Sequence, residues 1–206
     1  MLLLTKLVPA LTFLLVSATG QAADKPPRNV RINSISYGGT GCPGDTVTWS
    51  LSEDRSSFTL LFDDYTAETG PGVERAGSRK KCQINLELAV PPGWRYSVAS
   101  FGYRGYAWLE NNIRGRFAAR YYFSGSTEEG EFSRQLVGPW DGEYRLHTEL
   151  ELKDQVWSPC DARRNLNIST SLNLFGNVEE GAGVMSTSEL DGGFVQTYGL
   201  AFSTCP

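Results

Sequence analysis

Apolar and polar residues alternate with a period of two along most of this chain. Cys82, Ile84, Leu86, Leu88 and Val90 alternate with Gln83, Asn85, Glu87 and Ala89, which predicts a half-buried strand with the cysteine on its core face. Phe117, Ala119, Tyr121 and Phe123 repeat the pattern opposite Arg116 and Arg120. Tyr144, Leu146, Thr148, Leu150 and Leu152 form a third run, and Leu166, Ile168, Thr170, Leu172 and Leu174 a fourth. Shorter versions occur at Val47-Trp49-Leu51, at Phe58-Leu60-Phe62 and from Phe194 to Phe202. Gly38-Gly39-Thr40-Gly41, Gly70-Pro71-Gly72, Pro91-Pro92-Gly93, Gly138-Pro139 and Gly192-Gly193 punctuate them as turns. No stretch of about 12 residues carries a helical apolar stripe. The pattern predicts an all-β protein, an antiparallel β-sandwich of about ten strands. A closed β-barrel shares the alternation and stands as the alternative.

The N-terminus breaks the pattern. Met1 to Lys6 carries one positive charge, Leu7 to Val16 is apolar, and Ala18, Gly20, Ala22 and Ala23 are small. This predicts a secretory signal over 1–22 and one domain over 23–206, soluble and extracellular. The apolar run is too short for a bilayer, which takes about 20 residues, so no membrane span is expected. All four cysteines, Cys42, Cys82, Cys160 and Cys205, follow the leader, and an even number in an oxidising compartment implies two disulfides. Of three possible connectivities, sequential pairing is expected, Cys42 with Cys82 and Cys160 with Cys205. Without a C-x-x-C spacing and with one histidine, neither zinc nor any cofactor is expected. A formal charge of −4 over 206 residues becomes one unit more negative once Lys6 leaves. No basic excess exists to displace counterions from phosphate. Polyanion binding as a property of the whole surface is excluded, and no nucleic acid partner is expected.

An ordered set of segments surrounds the cysteines. It runs from Gly38-Gly39-Thr40-Gly41-Cys42-Pro43 through Phe62-Asp63-Asp64-Tyr65, Arg79-Lys80-Lys81-Cys82-Gln83-Ile84 and Val90-Pro91-Pro92-Gly93-Trp94. Tyr103-Arg104-Gly105-Tyr106-Ala107 and Trp157-Ser158-Pro159-Cys160 follow, and Cys205 closes it. This arrangement resembles the secreted, mostly fungal family known as domain of unknown function 4360, from about Ile32 to Cys205. The resemblance implies a small secreted β-rich domain and brings no activity with it.

Little in the chain points to catalysis. His147 is the sole histidine and alternates outward between Arg145 and Glu149, with no nucleophile elbow anywhere. The glycine-rich Gly38–Gly44 stretch lacks the lysine and the helix that a phosphate loop needs, and reads as a turn presenting Cys42. Asp63-Asp64, Asp141 with Glu143, and Glu128-Glu129-Glu131 supply carboxylates. Only a fold that sets two of them across a cleft makes a polysaccharide hydrolase of them, which is the alternative function.

Aromatic residues give the positive signal. Tyr103, Tyr106, Trp108 and Trp140 lie near turns beside Arg104, Glu110 and Asp141. Tyr106 and Trp108 share a face on a regular strand, and an exposed pair makes a flat platform for sugar rings or apolar partner groups. Asn167-Ile168-Ser169 is an N-glycosylation sequon whose alternation sends Asn167 outward. The expectation is a secreted, non-catalytic glycoprotein that binds a cell-wall or surface glycan, or an extracellular protein. A structural or host-interacting role stands beside it.

Overall fold

A computed structural model describes residues 25–160, 162–177, 179–189 and 193–206. The expected signal over 1–22 lies outside the described residues. The chain runs β1 (Arg31–Gly38), β2 (Val47–Leu51), β3 (Ser57–Phe62), β4 (Thr66–Thr69), β5 (Arg79–Ala89), β6 (Trp94–Leu109) and β7 (Ile113–Phe123). It continues through β8 (Glu129–Val137), β9 (Trp140–Glu149), one 3-10 turn (Leu152–Asp154), β10 (Leu166–Gly176), β11 (Gly183–Ser186), β12 (Ser188–Glu189) and β13 (Gly193–Thr204). Every strand pair is antiparallel.

Two open sheets result, so the fold is a β-sandwich and not the closed barrel. One sheet has the order β1-β5-β10-β7-β8. In the other, β6 carries β13 and then β11 along one side and β9 along the other; β13 leads to β3 and β2, and β11 to β4. The alternating apolar positions meet between the sheets. Ile84 and Leu86 of β5, Phe117 and Tyr121 of β7 and Ile168 and Leu172 of β10 face Phe101 and Tyr103 of β6, Phe58 of β3 and Tyr198 of β13. Rings fill the centre: Phe58 stacks on Tyr198 at 4.9 Å, and Tyr103 lies 4.0 Å from Phe117. A buried aromatic removes about 150–250 Å² from contact with water, so this cluster dominates the hydrophobic drive.

Both disulfides form sequential pairs, Cys42–Cys82 and Cys160–Cys205. Loops closed over separations of 40 and 45 residues each restrict the unfolded chain by about 4 kcal/mol in the chain-entropy account. The Gly38–Gly44 stretch is the turn that delivers Cys42. Gly41 donates its N–H to the Lys81 carbonyl at 2.8 Å, and a Cβ there would stand 2.3 Å from the Tyr65 ring. Only glycine fits against the Tyr65 ring here.

Two features depart from the expected strands. The run through Leu152 ends as a strand at Glu149. Leu150 donates to the Ala99 carbonyl at 2.8 Å, the chain turns at 152–154, and Leu152 is half exposed. The second is a bulge in β6: Ser100 pairs with Gly199 and Val98 with Leu200, so Ala99 has no partner on β13. An extra residue reverses the inward parity of the strand. Before it Tyr96 and Val98 are buried; after it Phe101, Tyr103, Ala107 and Leu109 are.

Candidate functional site

That parity decides what each aromatic does. Tyr103 falls on the inward set, is 1% exposed, and packs on Phe117 and Phe132. It belongs to the core, which removes it from the four candidate ligand-binding aromatics. Tyr106 and Trp108 fall on the outward set, the first half-buried and the second 37% exposed. Register on β9 pairs Tyr106 with Glu143, Trp108 with Asp141 and Leu109 with Trp140. On its other side Trp108 pairs with Val184 of β11, which in turn pairs with Glu68 of β4.

Four connections cross between the sheets at this end: β4–β5, β6–β7, β8–β9 and β10–β11. Glu110 ties the β6–β7 connection to β10–β11: its N–H donates to the Ala182 carbonyl at 3.0 Å while its carboxylate accepts from the Ala182 N–H at 2.8 Å. Ile113 donates to the Glu110 carbonyl at 3.2 Å and closes the β6–β7 turn. Asn112 there takes a left-handed φ of 66°, which asparagine tolerates better than most residues. The Trp140 indole N–H donates to the Gly142 carbonyl at 3.1 Å, and this fixes the ring on its strand.

The crossing leaves an open concavity of about 580 Å³ with Trp108 and Trp140 on its rim, each 37% exposed. Glu110, Asn111, Asn112, Pro139, Asp141 and Glu180 complete the lining. The structure thus joins Trp108 to Trp140 and sets Tyr106 behind them. The Tyr106 hydroxyl donates to the Asp141 carboxylate at 2.5 Å, and this hydrogen bond raises the phenol's pKa. Asn111, Asn112 and Glu180 went unnoticed in the sequence and Pro139 read only as a turn, because they come from three different connections that meet only in the folded chain.

The other expected positions fall elsewhere. His147 is outward on β9 and lies 3.7 Å from Glu149. Asp63 and Asp64 sit exposed between β3 and β4, Glu128 lies in the β7–β8 turn and Glu129 and Glu131 on β8, on different elements from Asp141 and Glu143. Among the described residues no three of His, Cys, Asp or Glu gather as a metal cluster. Asn167 does point away from the core, yet it is only 9% exposed on a central strand. Its amide donates to the Ser124 hydroxyl at 2.9 Å, and its oxygen accepts from Asn85 at 2.9 Å. The nitrogen a glycan needs is already engaged within the sheet.

A family model matches residues 28–205. The chain belongs to the family described as Domain of unknown function (DUF4360). A relative from Arthroderma benhamiae (strain ATCC MYA-4681 / CBS 112371), named "Uncharacterized secreted protein", is 42% identical over 186 residues, covering 90% of this chain and 75% of the relative. Like that relative, this member of the DUF4360 family is secreted. No helix among its described residues is long and apolar enough to cross a membrane. Two solved structures are similar to it. One is TmCBM61 in complex with beta-1,4-galactotriose, with a TM-score of 0.31 and 11% identity, covering 84% of this chain and 90% of that one. The other is the enzymatically active domain of tailspike protein 4 from bacteriophage CBA120, with a TM-score of 0.27 and 13% identity, covering 86% of this chain and 20% of that one. At these scores neither likeness extends to a site.

Proposed function

We propose that this secreted DUF4360 protein, one domain over 23–206 after loss of its leader, is a non-catalytic module that binds a cell-wall or surface glycan. The observation that carries this reading is the pair Trp108 and Trp140, two half-exposed indoles on the rim of one concavity. Large aromatic faces left in water are costly unless a ligand covers them, and a sugar ring presents a matching apolar C–H face. Asn111, Asn112 and Asp141 then offer donors and acceptors for hydroxyl groups, the mixture of apolar platform and few polar groups typical of ligand sites. Glu110 and Asp141 already accept hydrogen bonds from the fold, and both serve as positioned acceptors.

The test is a glycan array and a polysaccharide pull-down with the wild type and the Trp108→Ala/Trp140→Ala double variant. Wild type retains a neutral glycan and the variant loses at least about tenfold in affinity, some 1.4 kcal/mol, with an unchanged circular dichroism spectrum. Equal retention of that glycan by a folded variant overturns the assignment.

A further inference from the structure

The outer face of the five-stranded sheet, on the far side of the sandwich from Trp108, holds a second feature. Three cross-strand rows run side by side over β5, β10, β7 and β8. The middle row is Lys81, Ser171, Ala118 and Ser133. On one side of it lies Arg79, Asn173, Arg116 and Gln135; on the other, Gln83, Ser169, Arg120 and Glu131. Ser171, Ala118 and Ser133 of the middle row lie between longer side chains, Arg79, Arg116 and Gln135 on one side and Gln83, Arg120 and Glu131 on the other, and make a trough that runs across the strands. Two contiguous concavities of about 620 and 300 Å³ occupy it and share Arg116, Ala118, Ser133 and Ser171. Four strands at about 4.8 Å spacing make it about 14 Å long.

The charge of the trough runs against that of the chain. Arg79, Lys81, Arg116 and Arg120 line it against one carboxylate, Glu131, in a protein of formal charge −4. Arg120 lies 3.4 Å from Glu129, while Arg79, Lys81 and Arg116 have no ion-pair partner among the described residues. Arg79 and Arg116 stand on either side of Asn173, two strand spacings or about 10 Å apart. Cations kept this close repel one another, and an anion between them relieves that repulsion. The floor supplies hydroxyls and an amide: Asn173 donates to the Ser171 hydroxyl at 3.1 Å, and Arg116 to the Ser133 hydroxyl at 3.3 Å.

We propose that this trough binds an extended acidic polysaccharide of the polyuronate class. Carboxylates spaced along a polymer match cations spaced along a trough, and serine and asparagine side chains match sugar hydroxyls. Single-stranded nucleic acid fits less well, because it stacks successive bases on aromatic platforms and Phe175, at one end, is the one exposed ring of the lining. The exclusion of polyanions as a whole-surface property still holds, since the cations are confined to one face. This site is independent of the tryptophan concavity.

Polygalacturonate binding by the secreted protein is measured by affinity electrophoresis and calorimetry. Highly methyl-esterified polygalacturonate serves as the uncharged control and an oligo(dT) strand as the alternative polyanion. The wild type binds polygalacturonate, and affinity falls steeply from about 50 to about 300 mM salt. Arg79→Glu/Arg116→Glu lowers it by at least about tenfold with thermal melting unchanged. Trp108→Ala/Trp140→Ala leaves it intact, which separates this site from the neutral-glycan site. If charge reversal disturbs melting, Arg79→Gln/Arg116→Gln replaces it, with a weaker loss in the same direction. Absence of binding, equal binding of the esterified polymer, equal or tighter binding of oligo(dT), or no change in the folded arginine variants overturns the proposal.

Discussion

Tyr106 and Asp141 face each other across β6 and β9, and the Tyr106 hydroxyl donates to the Asp141 carboxylate at 2.5 Å. They are diagonal neighbours, since register pairs Tyr106 with Glu143 and Asp141 with Trp108. The bond therefore links the strand that carries Trp108 to the one that carries Trp140, and it aims Asp141 at the concavity's edge.

The bond has a titration signature. A carboxylate that accepts the phenol proton makes its loss harder, so Tyr106 ionises above the ordinary range. Asp141→Asn removes the charge, and the Tyr106 midpoint falls back toward about 10. Carbon-13 NMR of labelled tyrosine rings reads this directly. A midpoint that does not move on substitution shows that the hydrogen bond is absent in solution.

Gly105 sits where β13 and β11 meet along one side of β6. A Cβ at this position would stand 2.1 Å from the Ser186 carbonyl oxygen and 2.6 Å from the Tyr144 hydroxyl, which donates to that same carbonyl at 2.7 Å. Gly105→Ala therefore costs about 2–3 kcal/mol in urea unfolding, as overpacking and loss of a buried hydrogen bond combine. A cost below about 0.5 kcal/mol contradicts the packing described for this junction.

Asn167 tests the sheet against the sequon. As a residue of the Asn85–Asn167–Ser124 network, its replacement by alanine costs about 1–2 kcal/mol and is felt in protein from any host. The intact mass of protein secreted from a glycosylating host carries no glycan at this position. An occupied Asn167, or an alanine variant as stable as the wild type, places the side chain outside that network.

Burial raises the phenol pKa values of Tyr65, Tyr96, Tyr103, Tyr144 and Tyr198. In the unfolded chain these groups ionise near pH 10. Above that pH the unfolded state binds fewer protons than the folded one, so stability is level below about pH 10 and declines as pH rises beyond it. Alkaline unfolding followed at 295 nm shows a cooperative rise that coincides with loss of the far-ultraviolet signal. A rise large enough for all nine tyrosines with the far-ultraviolet signal intact means that these rings reach solvent without unfolding.

The chain's own alternation was enough to specify sheets. Period-two runs such as Cys82–Leu88 and Leu166–Leu174 bury one face of each strand wherever the strand is placed. An even number of cysteines implied the oxidising compartment in the same local way. Six strands were not picked out as runs in the sequence: β1 and β8 lie at sheet edges, where fewer positions are buried, β4, β11 and β12 have four residues or fewer, and the long β6 is apolar on both faces. The tertiary structure decided which side of each strand meets which neighbour. Ala99, without a partner on β13, turns Tyr103 into the core and Tyr106 and Trp108 toward solvent, although spacing alone leaves both faces of β6 apolar. Register across β5, β10 and β7 lines up Arg79 with Arg116 and Lys81 with Ala118, pairs distant in sequence whose alignment no local pattern encodes. The physical reason is one of range. Hydrophobic period depends on neighbours two residues apart, whereas a site depends on bulges, edges and crossing connections that exist only once the sheets have paired.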